Sequence, residues 1–83
     1  MNKILVEVHV PVAGKSFDMF IPTHLMLHEA MLLIKKIAME MSDGLFVASS
    51  ETTLCNRSDG SILNINLSVY ELGLKNGSKL MLI

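Results

Sequence analysis

The chain reads as a small α+β roll, with elements in the order β-β-α-β-β-β and a short helical turn before the last strand. Three observations lead there. Apolar residues alternate with others over residues 4–10 and again over 17–21, the period of two that a half-buried strand requires. From Met26 to Met41 they recur at helical spacing instead. The closing stretch Lys79-Leu80-Met81-Leu82-Ile83 is an apolar strand that follows an Asn76-Gly77 turn. With 83 residues there is material for one core only, so residues 1–83 make a single domain.

In the first strand Ile4, Val6, Val8 and Val10 alternate with Leu5, Glu7 and His9, and Pro11 ends it. Ala13-Gly14-Lys15 turns the chain. Phe17, Met19 and Ile21 then take one face and Ser16, Asp18 and Phe20 the other, as far as Pro22. The two segments form an N-terminal hairpin. On the helix, steps of about 100° per residue from Leu27 bring Ala30, Met31, Ile34, Ile37, Ala38 and Met41 onto one arc, which must face the sheet. Ser42-Asp43-Gly44 stops it, Gly44 being suited to the left-handed conformation after the last turn.

Residues 45–51 have no clear period, and Leu45-Phe46-Val47 are expected to tuck into the core from a loop. A third strand is expected around Thr52 to Asn56, with Ser58-Asp59-Gly60 turning into a short strand near Ser61 to Leu63. Ser68 and Glu71 have capping-box spacing, which starts a single helical turn that Gly73 ends. The last strand is most sensibly paired beside the first.

Composition excludes several functions. Seven basic against eight acidic residues leave a net charge of -1, and no Lys/Arg cluster exceeds the pair Lys35-Lys36. A nucleic-acid binder needs a basic face, so none is expected here. The single cysteine, Cys55, has no internal disulfide partner, which fits a reducing cytoplasm. Glu7 and His9 interrupt the N-terminal apolar run, against a signal peptide. The greasiest stretch, 25–41, contains His28, Glu29, Lys35, Lys36 and Glu40, against membrane insertion. Yet 51% of the residues are hydrophobic, more than so small a core holds, which implies either an unusually greasy surface or a partner that covers the excess.

The order and spacings resemble the ubiquitin-like β-grasp roll over essentially the whole chain. Val69-Tyr70-Glu71-Leu72-Gly73-Leu74-Lys75-Asn76-Gly77-Ser78-Lys79-Leu80-Met81-Leu82 is similar to the Leu-x-x-Leu-Gly-Ile-x-x-Gly-x-x-Leu-x-Leu signature of such domains, with Val69 and Leu74 as conservative exchanges. Ubiquitin and the related sulfur carriers extend to a Gly-Gly that an activating enzyme adenylates. No glycine follows Gly77 here, so conjugation and sulfur transfer are not expected. The segment 17–27, Phe-Asp-Met-Phe-Ile-Pro-Thr-His-Leu-Met-Leu, resembles the second strand and helix start of the YukD/EsaB group of small bacterial ubiquitin-like proteins. It departs from them in having Met26 where many members have Pro. The resemblance implies a cytoplasmic accessory of the type VII (ESX/Ess-like) secretion system of Gram-positive bacteria.

Cys55 as a nucleophile would need His9, His24 or His28 as base and an oxyanion hole; without a Gly-rich elbow it reads as a strand-packing residue. His24 and His28 are four apart, a zinc-site spacing, but His24 precedes the helix and no third ligand is near. No metal, cofactor or catalytic group is therefore expected. The apolar excess says more. Leu32 and Met39 project about 120–140° from Leu27, off the core arc, with His28 and Lys35 flanking them. On the outward side of the sheet lie Leu5, Phe20, Met81 and Ile83, expected to form one continuous patch. The resemblance implies that Met81 and Ile83 occupy the region of ubiquitin's own recognition surface.

The expected function is that of a non-conjugating protein-binding module, not an enzyme, docking on cytoplasmic parts of a secretion apparatus. A generic ubiquitin-fold adaptor and a self-associating subunit are the alternatives, and a protein modifier the remotest.

Overall fold

The long valine-rich alternation makes β1 (Lys3–Val10) an extended ribbon that folds back on β2 (Lys15–Pro22) through a 3-10 turn over Pro11–Ala13. Gly14 closes that turn at φ 61°, a left-handed conformation costly for any residue with a Cβ. The computed structural model describes residues 2–83. After α1 (Leu27–Met41) come a short β3 (Leu54–Asn56) and β4 (Lys79–Leu82). The sheet order is β2-β1-β4-β3, with β1 antiparallel to β2, parallel to β4, and β3 antiparallel to β4. First and last strands thus lie side by side at its centre, as the pattern predicts.

One face of this sheet packs on the helix. Ile4, Val6, Val8 and Val10 of β1, Phe17, Met19 and Ile21 of β2, and Leu80 and Leu82 of β4 are all buried. Against them α1 turns Leu27, Ala30, Met31, Ile34 and Ala38. Each large side chain so buried contributes about 1.5–3 kcal/mol relative to exposure. The predicted arc overran at its end: Ile37 is only half-buried and Met41 is 52% exposed. By Met41 the helix has reached its last residue, so that turn has little sheet left beneath it.

The helix stops at Ser42-Asp43-Gly44 as expected, with one residue more in the left-handed region than foreseen. The first left-handed residue is Asp43 at φ 53°, with Gly44 following at φ 84°. Asp43 N–H donates to the Glu40 carbonyl and Gly44 N–H to that of Met39, the paired bonds of a Schellman motif. Buried Ser42 completes the stop by accepting the Phe46 N–H on its Oγ at 2.9 Å. That bond holds Phe46 in the core, while Leu45 and Val47 point out. Of the expected apolar triplet, one residue packs.

One short element falls below expectation and another meets it. The strand near Ser61 to Leu63 is reduced to a bridge between Cys55 and Ile62, closed by the Asn56 N–H on the Ser61 carbonyl at 2.8 Å and the Leu63 N–H on the Leu54 carbonyl at 3.0 Å. The capping box at Ser68 forms in full, Glu71 N–H to Ser68 Oγ at 3.0 Å and Ser68 N–H to Glu71 Oε1 at 2.9 Å. It starts the expected single helical turn, closed by the Leu72 N–H on the Ser68 carbonyl at 3.0 Å, and Gly73 ends it at φ 75°.

Candidate functional site

Side chains on the outer sheet face fall into rows set by the strand register. Half-buried Leu5 stands opposite Phe20, which is 57% exposed. The Lys3 ammonium lies 5.0 Å from the centre of that ring, a cation–π contact. The next row is polar: Asp18 opposite Glu7, and Glu7 opposite Lys79. Arg57 reaches across it to Glu7, Nη1 to Oε2 at 3.1 Å. The third row holds Ser16, His9, Met81 and Cys55, where His9 Nδ1 and Ser16 Oγ share a hydrogen bond of 2.8 Å. Ile83, 53% exposed, lies beyond, its N–H and carbonyl both bonded to Thr53.

The four sheet residues therefore do not form one continuous patch. Leu5 sits four residues before His9, the partner of Met81, which at the rise of a strand is roughly 13 Å. The charged row of Asp18, Glu7, Lys79 and Arg57 fills the gap. There are two apolar islands: Leu5 with Phe20, and half-buried Met81 with Ile83. Alternation alone shows which residues face outward; it says nothing of the order in which strands bring them together.

On the helix, Leu32 is 69% exposed and Met39 is also exposed, as the angular argument requires. The Lys35 ammonium reaches the Ser49 carbonyl at 3.5 Å, so the 45–50 segment runs along the flank beside this stripe.

The chemical candidates are dispersed. Cys55 is 1% exposed, flanked by its cross-strand partners Met81 and Ile62. His9 lies two strands from it, roughly 10 Å and beyond hydrogen-bond reach. His24 and His28 are both exposed, and because α1 begins at Leu27 they do not share a helical face. Among the described residues no three of His, Cys, Asp and Glu gather as metal ligands would, and no helix is long and apolar enough to cross a membrane.

Sequence reasoning missed how the 65–70 segment is used. The orphan N–H groups at the start of α1 donate to it, Leu27 to the Leu67 carbonyl at 2.8 Å and His28 to that of Ile65 at 3.1 Å. Val69 and Tyr70 return bonds to Leu25 and Thr23. Met26 offers no hydroxyl or carboxylate as a cap; its own N–H is accepted by Glu29 Oε1 at 3.0 Å. The absence of Ser, Thr, Asp or Asn at position 26 was the available signal that caps must come from elsewhere.

This architecture superposes on the ubiquitin-like domain of the Mycobacterium tuberculosis type VII secretion system protein ECCD1 with a TM-score of 0.78, over 100% of this chain and 99% of that one, at 15% identity. The fold is the ubiquitin-like β-grasp. Protomer 1 of the ESX-3 core complex matches with a TM-score of 0.74 at 18% identity over 99% of this chain, which spans only 16% of that one. The same β-grasp is found in the ubiquitin-like domain of Plasmodium falciparum Dsk2, with a TM-score of 0.68 at 25% identity over 98% of this chain and 96% of that one. Neither a protein-family profile nor a curated protein sequence matches the chain.

Proposed function

We propose that this β-grasp domain is a protein-binding accessory of a type VII (ESX/Ess-like) secretion system, of the YukD/EsaB kind, working in the cytoplasm of a Gram-positive bacterium. It acts by non-covalent contact and not by catalysis. The observation that carries this reading is the full-length overlap with the ubiquitin-like domain of ECCD1, joined by the match within an ESX-3 core complex protomer. Exposed Phe20 and Ile83 on the sheet, and Leu32 and Met39 on the helix, supply apolar contact area. Methionine and aromatic side chains suit such surfaces.

The division of the sheet into two islands sharpens the test. Leu5→Asp and Ile83→Asp are made separately, and each is assayed for co-purification with cytoplasmic regions of the secretion apparatus encoded near its gene. At least one change abolishes capture while circular dichroism stays native. Native folding with capture intact in both variants and in Leu32→Asp/Met39→Asp would remove the proposed surfaces. Neighbouring genes for a WXG-type secreted protein and a membrane ATPase would support the secretion assignment.

A generic ubiquitin-fold adaptor is the second reading, favoured by the higher identity to the Dsk2 domain. It is distinguished by capture of a partner unconnected to secretion through the same islands.

A further inference from the structure

Leu63, Leu72 and Leu74 each keep part of their side chains outside the core they pack against. With Leu80, Lys75 and Lys79 they line a groove of about 350 Å³ between the 56–63 loop and the start of β4. This volume is at the lower end of the range for binding sites, about 300–1,000 Å³. The walls are set in advance by short-range bonds. Asn56 Oδ1 accepts both the N–H and the hydroxyl of Ser58, at 3.1 and 2.8 Å. Ser78 Oγ accepts the Lys75 N–H at 3.0 Å, and Ser78 N–H donates to the Lys75 carbonyl at 3.0 Å. A site that needs no ordering loses less on binding.

Charge selects the occupant. Among the described residues no carboxylate lies within 4.0 Å of the Lys75 or Lys79 ammonium, the ion pairs being Lys15–Asp43 and Arg57–Glu7. Asp59, the acid of the adjoining loop, is turned back on Ser61, accepting its N–H and hydroxyl at 2.9 and 2.7 Å. A partner that covered an unpaired ammonium without supplying a carboxylate would leave it desolvated and uncompensated. We propose that this groove seats an apolar side chain from an acidic, extended segment of a partner protein, with Lys75 and Lys79 pairing to carboxylates on either side of it. This site is separate from the two sheet islands and does not depend on them.

The test is an amide-shift titration of the whole chain with the synthetic peptide acetyl-Asp-Glu-Leu-Glu-Asp-amide. Shifts centred on Gly73, Lys75, Ser78 and Lys79 are expected, with affinity falling as salt rises, because the ion pairs are exposed. Lys75→Glu/Lys79→Glu should weaken binding at least tenfold, and Leu72→Phe should block the groove from within. Leu5→Asp and Ile83→Asp should leave peptide binding unchanged, which separates this proposal from the sheet-face reading. No binding, equal binding of the Asn/Gln version of the peptide, or indifference to the double charge reversal in a natively folded variant would each overturn it. Sedimentation that reveals self-association abolished by the same double variant would give the groove to a second copy of the chain, and would overturn it too.

Discussion

The side-chain carbonyl of Asn76 accepts the backbone N–H of Leu5 at 2.8 Å, joining residues 71 positions apart. Next to it, the Gly77 N–H donates to the Leu5 carbonyl at 2.8 Å. β4 begins only at Lys79, opposite Glu7, so Leu5 lies beyond the regular parallel ladder. The Asn76 amide stands in for the missing strand acceptor and carries the pairing two residues further along β1. It thereby fixes the backbone under the Leu5–Phe20 island.

Asn76→Ala should therefore cost about 0.5–1.5 kcal/mol, the net worth of one such hydrogen bond. A shifted denaturant midpoint with unchanged slope would report it, and hydrogen exchange should show the Leu5 amide losing protection. Asn76→Asp, which keeps an acceptor, should retain most of that protection.

Gly77→Ala should destabilise by about 1–2 kcal/mol through backbone conformation alone. Gly77 has φ 88°, and a Cβ there would meet nothing within 4 Å. Gly77→Asn, which tolerates positive φ better, should cost less than Ala in the same thermal or denaturant measurement. Equal costs would mean that the site is not limited by φ.

Ile34→Ala should cost about 2–5 kcal/mol, since the side chain is fully buried between helix and sheet and its loss leaves a cavity. Met41→Ala, on the same predicted arc but half out of the core, should stay within about 0.5 kcal/mol. Chemical denaturation of the two variants side by side checks where the arc stops.

The Ser68 N–H and hydroxyl, in that order of effect, hold the Glu71 carboxyl below the ordinary glutamate range. A carboxylate with a depressed value in the folded state lends support that is full above its unfolded value and fades as pH falls through the folded one. Acidification should therefore loosen the 68–73 turn before the core melts. Carboxyl chemical shifts of Glu71 and exchange of the Ser68 amide should titrate together, and Ser68→Ala should return Glu71 towards its ordinary value.

Much of the architecture was legible because its signals are local. A period of two over Ile4–Val10 and Phe17–Ile21 specifies which strand face is buried, whatever the strand pairs with. The outward placement of Phe20 and Ile83 followed from the same alternation, and that of Leu32 and Met39 from the 100° step of the helix. The reciprocal bonds of Ser68 and Glu71 needed only three-residue spacing.

What the chain could not state locally was decided by contacts across it. Polar Asp18, Glu7, Lys79 and Arg57 come together only when β1 takes its register on both neighbours, and that row splits the outward apolar residues in two. The helix start is capped by carbonyls nearly forty residues downstream, Leu67 and Ile65. The groove beside Lys75 and Lys79 exists only where the 56–63 loop meets β4. Side-chain periodicity is a property of consecutive residues, so sequence alone settles faces. Register and loop docking are set by hydrogen bonds between distant backbone groups, which exist only once the chain has closed on itself.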